Sequence, residues 1–136
     1  MLRMYTDAST KNNPGPSGAG IVLIADGLHE QLAIPLKGEL SNHEAEFEAL
    51  MTGLMYLSEH NYTNQSLLIF SDSKIVVTAI EHKYVKNKVF QAYLTSINQL
   101  LRLFPSFMIQ WIPEYQNKEA DHLARQGLNK HMKSRH

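Results

Sequence analysis

An α/β architecture, a mixed five-stranded sheet flanked by helices, is what this chain predicts, and three observations lead there. The first third reads as three strands, with a tight turn between the second and third. Apolar positions then switch to helical spacing from residue 43. Two later apolar runs, residues 67–70 and 107–112, stand between helical segments, as parallel additions made through crossovers do.

Residues 2–8 form the first predicted strand. The stretch 11–18 carries two prolines and two glycines and is expected to be irregular. Residues 19–25 and 28–36 flank Asp26-Gly27, a two-residue hairpin signal. Over residues 43–60, Leu50, Leu54 and Leu57 line one helical face, and Ser41 or Asn42 can cap its start. The uninterrupted run 67–70 predicts a central strand buried on both faces. A helix over about 74–81 and a polar, basic connector at 82–88 follow. A longer amphipathic helix is marked by Phe90, Tyr93, Leu94, Ile97, Leu100, Leu101 and Phe104, with Pro105 as its stop. The fifth strand, 107–112, ends at Pro113, and a last helix covers 117–128 with Asn117 offering a cap. The expected organisation is one domain over 1–128 and a basic, frayed tail over 129–136.

The 136 residues suffice for one domain with a real core. No apolar run approaches the roughly 18 residues that span a membrane, and no charged-then-apolar leader opens the chain, so the cytoplasm is the default compartment. With no cysteine, disulfides, thiolate metal sites and a cysteine nucleophile are excluded together. The formal net charge of zero hides a strong polarity. Residues 1–73 hold three basic side chains against nine acidic ones, a balance of −6, and residues 74–136 hold ten against four, a balance of +6. Such polarity suits an acidic pocket that holds cations beside a basic surface that meets a polyanion.

Four acids stand where a fold of this kind can gather them. At 100° per residue, Leu50, Leu54 and Leu57 fall within about 80° of Glu46, whereas Glu44 and Glu48 lie about 160° away, toward solvent. Glu46 is therefore on the core-facing stripe, where a carboxylate needs hydrogen-bond donors, a base or a metal. Asp7 lies near the end of the first strand and Asp72 just past the run 67–70, positions where α/β sheets build sites. Asp72 can equally serve as a helix cap, and Asp121 can simply complement a helix dipole.

The segments Tyr5-Thr6-Asp7-Ala8-Ser9 with Asn13-Pro14-Gly15-Pro16, then Asn42 to Glu46, Phe70-Ser71-Asp72-Ser73, and Asn117-Lys118-Glu119-Ala120-Asp121-His122-Leu123-Ala124-Arg125 together resemble type 1 ribonuclease H. The four blocks occur in that family's order over nearly the whole chain. The resemblance implies a ribonuclease H-like fold, in the short form without an N-terminal hybrid-binding domain. It also implies an endonuclease that cleaves the RNA strand of RNA–DNA hybrids with little sequence preference, leaving 5′-phosphate and 3′-hydroxyl ends. By the same resemblance Asp7, Glu46, Asp72 and Asp121 are its catalytic, metal-binding carboxylates. Their oxygen ligands suit Mg²⁺, with Mn²⁺ as substitute, in a two-ion arrangement.

For substrate, Asn13 and Asn42 match positions that contact the minor groove, and Ser41 and Lys74 are candidates for sugar or phosphate contacts. Lys83, Lys86 and Lys88 occupy the connector where some members carry a larger basic protrusion. Two departures stand out. The segment Pro113-Glu114-Tyr115-Gln116-Asn117 lacks the mobile histidine many members place before the last helix, and His43 stands where asparagine is common. The remaining expectations are a monomer, no membrane association and no obligate protein partner. A catalytically weak nucleic-acid-binding module on the same fold is the alternative.

Overall fold

The computed structural model describes residues 1–134. Its elements are β1 (Leu2–Thr10), β2 (Gly15–Ala25), β3 (Leu28–Leu40), α1 (Asn42–Glu59), β4 (Leu67–Ser71), α2 (Lys74–His82), α3 (Lys88–Leu101), β5 (Phe107–Trp111), a 3₁₀ turn at Glu114–Gln116 and α4 (Lys118–Ser134). The sheet order is β3-β2-β1-β4-β5. The first three strands are antiparallel, and β4 and β5 add in parallel beside β1. The expected mixed five-stranded sheet is thus the one formed.

Local chemistry accounts for most boundaries. Ala25 pairs with Leu28 across Asp26-Gly27, and Gly27 takes φ +73°, which the short turn requires of its second residue. Ser41 caps α1 through a reciprocal pair: its hydroxyl accepts from the Glu44 N–H, and the Glu44 carboxylate accepts from the Ser41 N–H. The side chains of Ser73 and Asn87 likewise accept from the first N–H groups of α2 and α3.

Alternation along the strands divides the core. Leu2, Met4, Ile21, Leu23 and Ile69 point to one face, where they meet Phe47, Leu50, Leu54 and Leu57 of α1 and Leu94, Ile97 and Leu101 of α3. Burial of each such side chain contributes about 1.5–3 kcal/mol. On the other face Val22 packs with Ala120 and Leu123 of α4. That helix lies unusually close to β2: a Cβ on Gly20 would fall 1.9 Å from the Ala120 carbonyl oxygen, and one on Gly18 2.0 Å from the Leu128 nitrogen. These glycines let the α4 backbone rest on the sheet, which sets where Asp121 stands.

Five expectations need correction. The stretch 11–18 is irregular only in its first half, because Ser9 and Thr10 pair with Gly18 and Ser17 and carry β2 back to Gly15. Pro16 is accommodated at the register irregularity between Gly15 and Ser17. Strand β4 is not fully buried on both faces. On the side of Leu68 and Phe70 it is half-covered, since α4 packs on β1, β2 and β3, and Phe70 instead stacks on Tyr5 with ring centroids 4.6 Å apart. Helix α3 ends at Leu101 rather than Phe104, with a tight turn before Pro105. Glu44 and Glu48 are half-buried rather than solvent-facing; Glu44 closes the cap, and burial, then Glu44, push the Glu48 carboxyl up. Finally, the segment expected as a frayed tail is helical to Ser134. Lys130 Nζ donates to the Ala33 carbonyl at 2.9 Å and the His131 ring lies 3.3 Å from the Ser17 carbonyl, so the last turns are tied to β3 and β2. Residues 135 and 136 of that expected tail lie outside the described residues.

Candidate active site: a carboxylate cavity at the strand ends

Parallel pairing of β1 and β4 ends at Thr6 opposite Ser71. Asp7 and Asp72 are therefore the next residues on two neighbouring strands, side by side at the carboxyl end of the parallel pair. Asp7 lies near the end of its own strand, as the sequence implies, but not at it. It sits inside β1, still paired with Gly20 on the antiparallel side. Glu46 arrives from the second turn of α1 on the face that covers β1. Asp7, Glu46 and Asp72 each offer a carboxylate oxygen within 4.8 Å of the others. Asp121 comes from the first turn of α4, is half-buried, and pairs with Arg125 at 3.3 Å. It lies outside the tight trio but lines the same cavity of about 370 Å³.

This gathering is electrostatically costly. Burial first, then the Asp72 charge, push the Asp7 carboxyl up to about 8; the Ala8 backbone N–H opposes the shift. Burial, then Asp7 and Asp72, hold the Glu46 carboxyl well above the usual carboxylate range. Asp72 is raised by burial as well, with Glu114 and Asp121 adding to it and a hydrogen bond from Asn117 working against it. Carboxylates that repel one another within so short a distance fit a hard divalent cation, which takes oxygen ligands and neutralises the repulsion. A helix dipole or a cap explains neither the trio's convergence nor its burial.

Asn117 takes the cap position that the sequence predicts, its carbonyl accepting from the Asp121 N–H at 3.0 Å, while its side chain has another task. Fully buried, its Nδ2 donates to the Thr6 carbonyl at 2.9 Å and to Asp72 Oδ2 at 3.2 Å, which ties the start of α4 to β1 and to the carboxylate. Its Oδ1 is buried without a hydrogen-bond partner among the described residues. Asn117→Ala is expected to cost about 1–3 kcal/mol in denaturant unfolding, because the Thr6 carbonyl loses its donor. A freed Asp72 should also weaken divalent-cation binding in a calorimetric titration; unchanged affinity would show that Asn117 does not orient Asp72. Its place just after the 3₁₀ turn, at an α4 start held against β1, is visible only in three dimensions.

The remaining candidates divide sharply. Asn42, His43 and Lys74 line the carboxylate cavity, and the Lys74 ammonium lies 5.0 Å from the centroid of the Trp111 ring. Asn13 joins them indirectly, its Oδ1 accepting from the Asn42 backbone N–H at 2.8 Å. The Ser41 hydroxyl is committed to capping α1. Lys83, Lys86 and Lys88 are exposed in and beside the α2–α3 connector and do not line the cavity. Sequence reasoning passed over Glu114. It lines both the main cavity and an adjoining hollow of about 290 Å³ that is completed by Tyr115, Lys118 and Arg125. Its position directly after Pro113, ahead of the last helix, was the available signal.

Comparison with known proteins agrees with this geometry. Residues 5–127 match the family described as reverse transcriptase-like. A putative hydrolase of Enterococcus faecalis, EbsB, is 52% identical over 130 residues, covering 96% of each chain. The ribonuclease H of Caldanaerobacter subterraneus subsp. tengcongensis is 27% identical over 150 residues, covering 98% of this chain and 94% of that one. Among solved structures, LC11-RNase H1 in complex with an RNA/DNA hybrid superposes with a TM-score of 0.86 at 26% identity, covering 96% of this chain and 98% of that one. The chain belongs to the ribonuclease H-like family. Within it, the chain stands with the ribonuclease H enzymes, which are hydrolases.

Proposed function

We propose that this protein is an endonuclease that cleaves the RNA strand of RNA–DNA hybrids, with Asp7, Glu46, Asp72 and Asp121 as its metal-binding catalytic carboxylates. The observation that carries the reading is the convergence of Asp7, Glu46 and Asp72 within 4.8 Å inside a fold shared with ribonuclease H1. Asp7, Glu46, Asp72 and Asp121 would hold a pair of Mg²⁺ or Mn²⁺ ions, which would supply a water of lowered pKa and positive charge against the developing charge of an in-line displacement. Hydrolysis breaks the bond between phosphorus and the 3′ oxygen, so the products carry a 5′-phosphate and a 3′-hydroxyl.

The protein's own residues hold and aim the reacting groups. Burial and mutual repulsion leave Asp7, Glu46 and Asp72 under-neutralised, which favours cation capture over binding of a bare phosphate. Asn117 fixes one oxygen of Asp72. Because Asn13 Oδ1 is engaged by the Asn42 N–H, its Nδ2 is left as a donor toward a 2′-hydroxyl or a base edge, the groups that distinguish RNA in a hybrid minor groove. Asn42 and His43 flank the same opening, and Lys74 supplies a positive charge at its rim.

The direct test is cleavage of a labelled RNA–DNA hybrid, with duplex DNA and duplex RNA as controls, in Mg²⁺ and in Mn²⁺. Selective loss of the RNA strand of the hybrid is expected. Hybrid binding without cleavage in either metal would replace the enzyme with a binding module. A second expectation concerns the connector: changing Lys83, Lys86 and Lys88 together to Ala should weaken hybrid binding and flatten its salt dependence. The slope of log affinity against log salt should fall by about 0.9 for each phosphate that is no longer neutralised. An unchanged slope would remove the three lysines from the interface.

A further inference from the structure

The β5 edge is built differently from the rest of the surface. Its five residues, Phe107-Met108-Ile109-Gln110-Trp111, carry no charge and no proline, the two devices that usually keep an edge strand from pairing. Phe107 is 38% exposed, Met108 66% and Trp111 40%, with Leu103 at 50% just before the strand. By contrast, the opposite edge, β3, carries Glu30, Pro35, Lys37 and Glu39.

The backbone register of this edge is self-complementary. The Ser106 carbonyl accepts from the Leu67 N–H, and the Ile112 N–H donates to the Ser71 carbonyl, so the even-numbered residues point their polar groups at β4. Phe107, Ile109 and Trp111 consequently present their N–H and C=O outward, and among the described residues no backbone hydrogen bond outside the sheet reaches them. A two-fold rotation centred on Ile109 places Ile109 opposite its own copy and Phe107 opposite Trp111. Every one of those outward groups then meets a complementary one, and an aromatic pair forms at each end.

Charge does not oppose that pairing. The strand is neutral, so no like charges meet within the paired segment itself. Helix α2 runs antiparallel to β5, with Lys74 over Trp111 at one end and Glu81 and Lys83 beside Phe107 at the other. The same rotation brings the Lys74 end of one copy to the mixed Glu81 and Lys83 end of the second.

We propose that β5 is a self-association edge, through which two copies of this chain join into one continuous sheet by antiparallel β5–β5 pairing. The proposal departs from the monomer expected from sequence and does not rest on the cleavage chemistry. The test is sedimentation equilibrium of the wild type and of the double variant Met108→Lys with Gln110→Lys, at about 100 µM, a concentration that populates even a weak interface. Both positions are exposed, and the rotation sets Met108 opposite Gln110, so the variant places lysine against lysine across the interface. A doubled mass for the wild type and a single-chain mass for the variant, with equal melting temperatures, is the expected result. A single-chain mass for the wild type, or a variant that stays dimeric, overturns the proposal. If the variant melts lower, Ile109→Pro is substituted for it, because it removes an outward N–H and leaves the ladder to β4 intact. Loss of the doubled mass is again expected, and its persistence again overturns the pairing.

Discussion

Asp7→Asn is expected to lower hybrid cleavage by more than about 100-fold, beyond the 10–100-fold typical of losing only an outer-sphere partner of a metal. Hybrid affinity should stay within about threefold of wild type, since the change keeps the shape of the side chain and removes only charge. Asp7 is only 7% exposed and its carboxyl meets those of both Glu46 and Asp72, so it is the shared member of the trio. The amide cannot offer the same anionic ligand, and cation binding should weaken in parallel with activity. Equal turnover by wild type and variant would place the metal elsewhere. Loss of both cleavage and hybrid binding would instead show that Asp7 supports the substrate surface itself.

The second large effect is on stability, and its sign follows from the same repulsion. The Asp7 carboxyl is pushed up to about 8, and Glu46 and Asp72 are raised too, all with burial as the first cause. The folded chain therefore keeps protons that the unfolded chain releases near pH 4. Unfolding then releases protons, and stability falls as pH rises through this window, levelling off above the folded-state values. Metal-free protein should lose about 4 kcal/mol between about pH 5 and pH 8 from the Asp7 proton alone, on the basis of about 1.4 kcal/mol per proton and pH unit. Saturating Mg²⁺ should restore most of that loss at pH 8, because a cation neutralises the charges that titration exposes. In EDTA at pH 8, Asp7→Asn should melt above the wild type. Thermal unfolding at several pH values, with and without metal, checks all three points. A metal-free melting temperature that is flat or rises with pH would show that the three acids do not share a buried site.

These two expectations have different roots in the sequence. Glu46 was identifiable from one helix alone, because its wheel position on the Leu50, Leu54 and Leu57 stripe forces a carboxylate toward the core. Asp7, Asp72 and Asp121 were not separable from turn, cap and dipole residues by any local rule. Only motif resemblance raised them, and only the Thr6–Ser71 register put Asp7 beside Asp72. Asn117 shows the limit in another way. Its cap position is a local signal, whereas its side-chain partners are 111 and 45 residues away in the chain.

What the sequence determined by itself was the set of elements and their order. Local chemistry controls these: the Asp26-Gly27 turn, the Ser41 cap and the change of apolar period from strand to helix act over a few residues each. Tertiary structure alone decided where those elements end and which polar groups meet. Strand β2 extends into a Gly/Pro segment because Thr10 and Ser9 pair with it, and α4 continues to Ser134 because β2 and β3 hold its last turns. The carboxylate trio exists because parallel pairing and a capped α1 bring three repelling charges to one point, and a glycine-thin β2 lets α4 carry Asp121 to the same cavity. Such a placement depends on contacts between distant segments, which no window of sequence contains.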